Sequence, residues 1–339
     1  MLSYCEYLAL KKMNPGEEFF LETIIYEIED CNEVVCQWNG YELERVFGIK
    51  EPKNLRSLFT DSRWKQMLDD IRQTEFWNHN WNYPVYFTKV FKMYGLDVEN
   101  FRGDFEEANH DAMTSQEQKV TLRRRLIDNR CGILLKRYWY RLREQYYVGR
   151  EDARKQLFVQ TPKNLFTGQR LSFKMRGNER WRIENDILES FIFPSFTDKR
   201  NSEMAYRLDN CNSVAIHARR GDMLSMNGLY YQYGYFRRAT KIIRKMVESP
   251  VFVFFTNEGS IEWCKANGYV FGLDYKTDKV LFVDWNKGKE SYRDMQLMSH
   301  CKHAVITNSS FGWWGAFFIK NPAKITISPS IEIDTTHHC

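Results

Sequence analysis

Short apolar runs alternate with helix-spaced stretches through the last third of the chain. Residues 213–216, 251–256, 280–283, 304–307 and 324–328 are rich in β-branched and aromatic side chains and read as strands. Between them, Phe236, Ala239, Ile242, Ile243, Met246 and Val247 fall on one face of a helix predicted over 235–247. Tyr292, Met295, Met298 and Cys301 do the same over 291–301. Nearly continuous apolar strands separated by amphipathic helices predict parallel βαβ units, hence a doubly wound α/β sheet. The N-terminal half is less regular. MLSYCEYLALKK spaces Leu2, Cys5, Leu8 and Ala9 as a helix does, and EEFFLETIIYEI (17–28) is a candidate strand. GYELERVFGI (40–49) predicts a short helix closing on Gly48. Residues 62–150 are rich in aromatics and charge and mainly helical in pattern.

Composition narrows the class. With 43% hydrophobic and 16% aromatic residues over 339 positions, the chain fills a packed interior spread over about two domains. Pro162, Pro194 and their polar neighbours place a boundary near 195–212, giving domains 1–205 and 206–339. The net charge of +5 suits an anionic ligand or a membrane surface and falls short of a nucleic-acid signature. Arg123–Arg125 and the aromatics of Tyr138–Tyr147 interleave as a base-stacking surface would. Glu117, Asp128, Glu144, Glu151 and Asp152 dilute that charge, so the stretch reads as a solvated helix face and no nucleic-acid partner is expected. The eight cysteines form no C-x-x-C pair and read as free thiols in a reducing compartment. No apolar run reaches the length of a membrane span, and the N-terminus lacks the basic leader and cleavage site of a signal peptide.

The chemistry concentrates at strand ends. AIHARRGDM (215–223) leads an apolar strand into His217, then Arg219 and Arg220 side by side, then Gly221 and Asp222. Open α/β sheets bind ligands where a strand opens into such a loop, and paired guanidinium groups suit phosphate or carboxylate. AVITNSSFGWWGAFF (304–318) is a strand, then Asn308-Ser309-Ser310, then a helix start, which presents hydroxyls and free amides to an anion. SPVFVFFTNE (249–258) ends a third strand in Thr256-Asn257-Glu258, and Asp294 lies on the helix of 291–303.

In order and spacing, HARRGD, YFRRATKII, FFTNE and YRDMQLMSHCKHAVITNSSFGWWGAFF resemble the inverting α-1,2-fucosyltransferases, whose H-x-R-R-x-D element recurs in α-1,6- and protein O-fucosyltransferases. LALKKMNP and WNGYELERVFGI extend the likeness towards the N-terminus. The resemblance implies a GT-B-like fold, two Rossmann-like domains facing a cleft, with 1–205 on the acceptor side and 206–339 binding GDP-fucose. It implies a bacterial-type enzyme without a membrane anchor, transferring L-fucose to the 2-hydroxyl of a terminal β-galactoside in a surface glycan. By position, Arg219 would meet the donor phosphates with Arg220 beside it, and His217 would lie at the guanosine side. Asp294 would read guanine, Ser309 and Ser310 would hold the β-phosphate, and Asn308 would belong to the donor site beside them. Asp222 is the candidate base or an ion-pair partner of the loop, Glu258 a weaker candidate, and the aromatics of Trp77–Trp81 would stack the acceptor sugar.

No D-x-D occurs in the chain, so neither metal nor cofactor is expected beside the donor. The expected setting is the cytoplasm, at the inner membrane face where a lipid-linked acceptor is met. Three features depart from the family. Its members open on a strand and a G-x-G-N-Q turn, and this chain begins just after the place of that turn. The strand end commonly written S-D-D is Thr256-Asn257-Glu258 here, and the tail SPSIEIDTTHHC lacks the lysine- and tryptophan-bearing close, with His337-His338 reading as a disordered end. The first departure leaves a rival reading, a catalytically impaired relative that only binds GDP-fucose or glycan.

Overall fold

A five-stranded, wholly parallel sheet, with strands in the order Lys279–Val283, Val251–Thr256, Ser213–Ala218, His303–Ile306 and Thr326–Ile327, organises the C-terminal part of the computed structural model. The structure describes residues 1–13, 15–31, 39–78, 83–96, 98–100, 165–167, 183–221, 224–257 and 259–329, with a few single positions in 132–142. The chain divides into two compact units between Ile192 and Phe193.

Unit 1 contains α1 (Leu2–Met13), β1 (Phe20–Leu21), α2 (Leu43–Phe47), β2 (Lys53–Asn54), α3 (Asp61–Gln73), α4 (Tyr83–Met93), β3 (Val98–Asn100), β4 (Leu165–Thr167) and α5 (Glu184–Ser190). β1 pairs with β2 and β3 with β4, both parallel. The candidate strand in 17–28 stops after Leu21: the Glu22 carboxylate accepts the Ile24 amide and turns the chain into a 3-10 helix, Ile24–Tyr26. α2 closes on Gly48 in the left-handed region, φ 66°, its amide returning to the Glu44 and Leu43 carbonyls. Thr60 caps α3, whose Trp64, Met67 and Ile71 face a core with Ile24, Leu55, Phe76, Phe87 and Phe91. Trp77 packs edge-on against Phe76, whereas 79–82 lie outside the described residues.

Unit 2 runs α6 (Lys199–Asp209), β5 (Ser213–Ala218), α7 (Leu224–Gln232), α8 (Tyr235–Met246), β6 (Val251–Thr256), α9 (Ile261–Ala266), α10 (Gly268–Phe271), β7 (Lys279–Val283), α11 (Tyr292–Ser299), β8 (His303–Ile306), α12 (Ser310–Phe317) and β9 (Thr326–Ile327). Strand side chains alternate between two cores. Val214, Ile216, Ala218, Phe252 and Phe254 meet α7, α8 and α10 on one face, and Ala215, Val253, Phe255 and Ala304 meet α6, α11 and α12 on the other. Both faces are covered, which explains the continuous apolar runs of the central strands. Cys5, Cys211, Cys264 and Cys301 are free thiols. Among the described residues no helix is long and apolar enough to cross a membrane.

Phe254 is fully buried, stacked on Phe282 at 5.0 Å and edge-on to Phe271 at 4.8 Å. Phe254→Ala is expected to cost about 3–5 kcal/mol of stability, read as a lower denaturant midpoint at unchanged slope.

Candidate functional site

Strand order reverses between β5 and β8: β6 and β7 extend the sheet on one side of β5, β8 and β9 on the other. The crevice outside the carboxyl ends of two such strands is where open α/β sheets hold ligands. Pairing His217 with Ile306 brings the segment from Arg219 level with the segment from Asn308. Thr307 Oγ1 donates to the His217 carbonyl at 3.3 Å and ties the two strand ends together.

From β8 the chain passes through half-buried Asn308 and Ser309 to exposed Ser310, the first residue of α12. Ser309 is the extended N-cap (φ −152°, ψ 130°); its carbonyl accepts the Trp313 amide, but its hydroxyl makes no capping bond. The first-turn amides of α12 therefore face the crevice with the positive end of the helix dipole behind them. The opposite end of α12 is closed by Lys324, whose ammonium donates to the carbonyls of Ala316, Phe317 and Ile319 at 3.0, 2.9 and 3.1 Å. Lys324→Met keeps the stem and strands those carbonyls, so thermal or chemical unfolding should register a loss of about 1.5–3 kcal/mol.

His217 points from β5 towards α12, buried and stacked on Phe311 at 5.6 Å. A Cβ at Gly312 would stand 2.4 Å from its Nδ1, so only glycine lets the first turn of α12 lie this close. Nδ1 is buried without a hydrogen-bond partner. Burial first, and the Arg219 charge second, push the imidazole down to about 3, so it is neutral.

The loop after β5 is held through its backbone. Tyr231 Oη donates to the Arg219 carbonyl at 3.0 Å, and the Arg220 amide donates to Asn257 Oδ1 at 3.0 Å. The Arg220 guanidinium lies 3.3 Å from the Trp263 ring centroid and 5.0 Å from that of Tyr231. Asn257 fills the space a side chain at Gly221 would need, 2.3 Å from its Nδ2, where φ is already +25°. Asp222 and Glu258 lie outside the described residues.

Asp294 sits on α11, buried, and accepts from Asn286 Nδ2 at 2.8 Å just past the carboxyl end of β7. Asn286 pairs with Asn201, which also receives Trp285 Nε1 and donates to Asp198. Burial raises the Asp294 carboxyl to about 7, with a smaller contribution from Asp284. His217, Arg219, Asn308, Ser309 and Ser310 thus share the β5–β8 crevice, whereas Asp294 occupies the same sheet edge at β7. Sequence reasoning missed Tyr231, Trp263, Asn201, Asn286 and Lys324, which carry no motif of their own. Most of the basic-aromatic stretch 123–147 lies outside the described residues; within it, Tyr138 and Trp139 are exposed.

Residues 173–336 match the sequence profile of Glycosyl transferase family 11. The chain is 32% identical over 160 residues to an alpha-1,2-colitosyltransferase of Escherichia coli, covering 45% of this chain and 52% of that protein. It is 32% identical over 109 residues to human galactoside alpha-(1,2)-fucosyltransferase 1 and 31% to that of Saimiri sciureus, each covering 31% of this chain and 28% of the relative. The matched part thus spans about half, or less, of the relatives' own length. Through residues 173–336, which hold the whole five-stranded sheet and both strand ends of the crevice, the chain is thus similar to glycosyl transferase family 11 and to α-1,2-fucosyl- and α-1,2-colitosyltransferases.

Proposed function

We propose that the chain is an inverting fucosyltransferase moving L-fucose from GDP-fucose to the 2-hydroxyl of a terminal β-galactoside. The observation that carries this reading is the convergence at the β5–β8 crevice of Arg219, a buried imidazole with an unpartnered Nδ1, and a helix N-terminus whose capping hydroxyl is unused. The diphosphate would rest on the α12 N-terminus and Arg219, with Asn308, Ser309 and Ser310 supplying further donors. As the fucose C1–O bond breaks, negative charge grows on the diphosphate, and fixed guanidinium and amide dipoles stabilise it without reorganising. His217 would border the nucleoside. Asp294, as carboxylate, would accept from guanine N1–H and N2–H; adenine offers an acceptor at its own N1 and would be refused.

The GT-B arrangement, with residues 1–205 serving the acceptor and 206–339 the donor, belongs to the same proposal. So does a cytoplasmic enzyme working at the inner membrane face on a surface glycan under assembly. Inversion calls for the acceptor hydroxyl to attack opposite the leaving diphosphate, with Asp222 as the proposed base. The name of the E. coli relative brings one rival donor sugar, colitose.

The test is transfer from GDP-fucose to a β-galactoside in EDTA, with GDP-colitose as competitor. An α-linked product at O2, formed without metal, is expected. Turnover that vanishes in EDTA and returns with manganese, or preference for GDP-colitose, contradicts the corresponding part.

A further inference from the structure

Two arginines side by side leave a choice: both meet the ligand, or one meets the ligand and the other the fold. Along β5, Val214, Ile216 and Ala218 face one core, while Ala215 and His217 face the other. Continued past the strand, that alternation sends Arg219 to the His217 side and Arg220 to the opposite side. The contacts agree. Arg219 acts on His217 electrostatically, whereas the Arg220 guanidinium lies over Trp263 and beside Tyr231. Those two rings meet edge to face at 5.6 Å, and both rest on Phe271, which is fully buried. The box is thus part of the core. The backbone is pinned at the same place, the Arg219 carbonyl by Tyr231 Oη and the next amide by Asn257 Oδ1.

We infer that Arg220, Trp263 and Tyr231 form a clamp that aims Arg219, making them positioning residues for diphosphate recognition and not ligands of it. The inference deepens the donor reading above and rests on it.

Calorimetry on wild type, Tyr231→Phe, Trp263→Leu, Trp263→Phe and Arg220→Gln, with GDP and guanosine as probes, tests it. Tyr231→Phe deletes one hydroxyl and keeps the ring, so it disturbs folding least. Tyr231→Phe, Trp263→Leu and Arg220→Gln should each weaken GDP about tenfold or more while guanosine changes less than about twofold, since the nucleoside has no phosphate to misplace. Trp263→Phe keeps a face for the guanidinium and should recover most of the loss. The Arg220→Gln/Trp263→Leu double variant should be no worse than the poorer single.

Loss of GDP affinity in Arg220→Gln alone, with Trp263→Leu and Tyr231→Phe unaffected, would make Arg220 a phosphate ligand and overturn the clamp. Equal losses for GDP and guanosine would overturn it too. If wild type binds GDP no better than guanosine, the diphosphate reading itself fails. The clamp is then decided by thermal unfolding, where coupled effects of Arg220→Gln and Trp263→Leu support it and additive effects contradict it.

Discussion

Arg219→Lys is expected to lower kcat by about 10²–10³, a loss of about 3–4 kcal/mol of transition-state stabilisation, while the protein stays folded. Lysine keeps the charge and loses the planar fork, which is what grips two phosphate oxygens at once. The backbone around Arg219 is anchored by Tyr231 and by the neighbouring Arg220–Asn257 bond, so the substitution leaves the loop in place. The effect should fall mainly on kcat, because the charge to be stabilised grows as the C1–O bond breaks. Near-wild-type turnover in Arg219→Lys would remove the bidentate role.

The second large effect is a pH dependence centred on Asp294. Burial raises its carboxyl from 3.8 to about 7 in the nucleotide-free protein. A raised folded-state value favours the protonated form. Its contribution to stability is therefore full below about pH 4 and is lost as the pH climbs through about 7. Asp294→Asn, neutral throughout, should flatten that decline in unfolding measurements. A purine with two N–H donors needs the carboxylate, so guanosine affinity should fall about tenfold per pH unit below about 7 and level off above it. Guanosine is the right probe because the terminal phosphate of GDP titrates nearby. In Asp294→Asn the affinity should be weak and free of this slope; an unchanged pH profile in that variant would make Asp294 a structural member of the Asn201–Asn286 network.

How much was legible follows from what each pattern records. The apolar run 251–256 coincides with β6, because a strand buried on both faces is continuous in sequence. The run 324–328 shrinks to Thr326–Ile327: an edge strand with one partner needs little length, and Lys324 is drawn back to close α12. Helix α7 was not foreseen, since LSMNGLYYQ carries the turn dipeptide Asn227-Gly228. Burial of Tyr230 and Tyr231 in the core overrides it. The loop after β5 and the start of α12 were both found from local residue order, because each forms within a few residues. The aromatic box around Arg220 joins the loop after β5 and the adjoining α7 to the more distant α9, and such contacts leave no period to read. The polar chain from Asp198 through Asn201 and Asn286 to Asp294 is hidden for the same reason.

The carboxyl edge at β5 and β8 is proposed to hold the diphosphate of a guanosine-linked sugar. A crystal structure of the chain with GDP-fucose tests it most directly. The diphosphate is expected on the first-turn amides of α12, within hydrogen-bond reach of Arg219 and of the Ser309 and Ser310 hydroxyls, with guanine on Asp294. A nucleotide bound with its phosphates away from α12, or with its base far from Asp294, would contradict it.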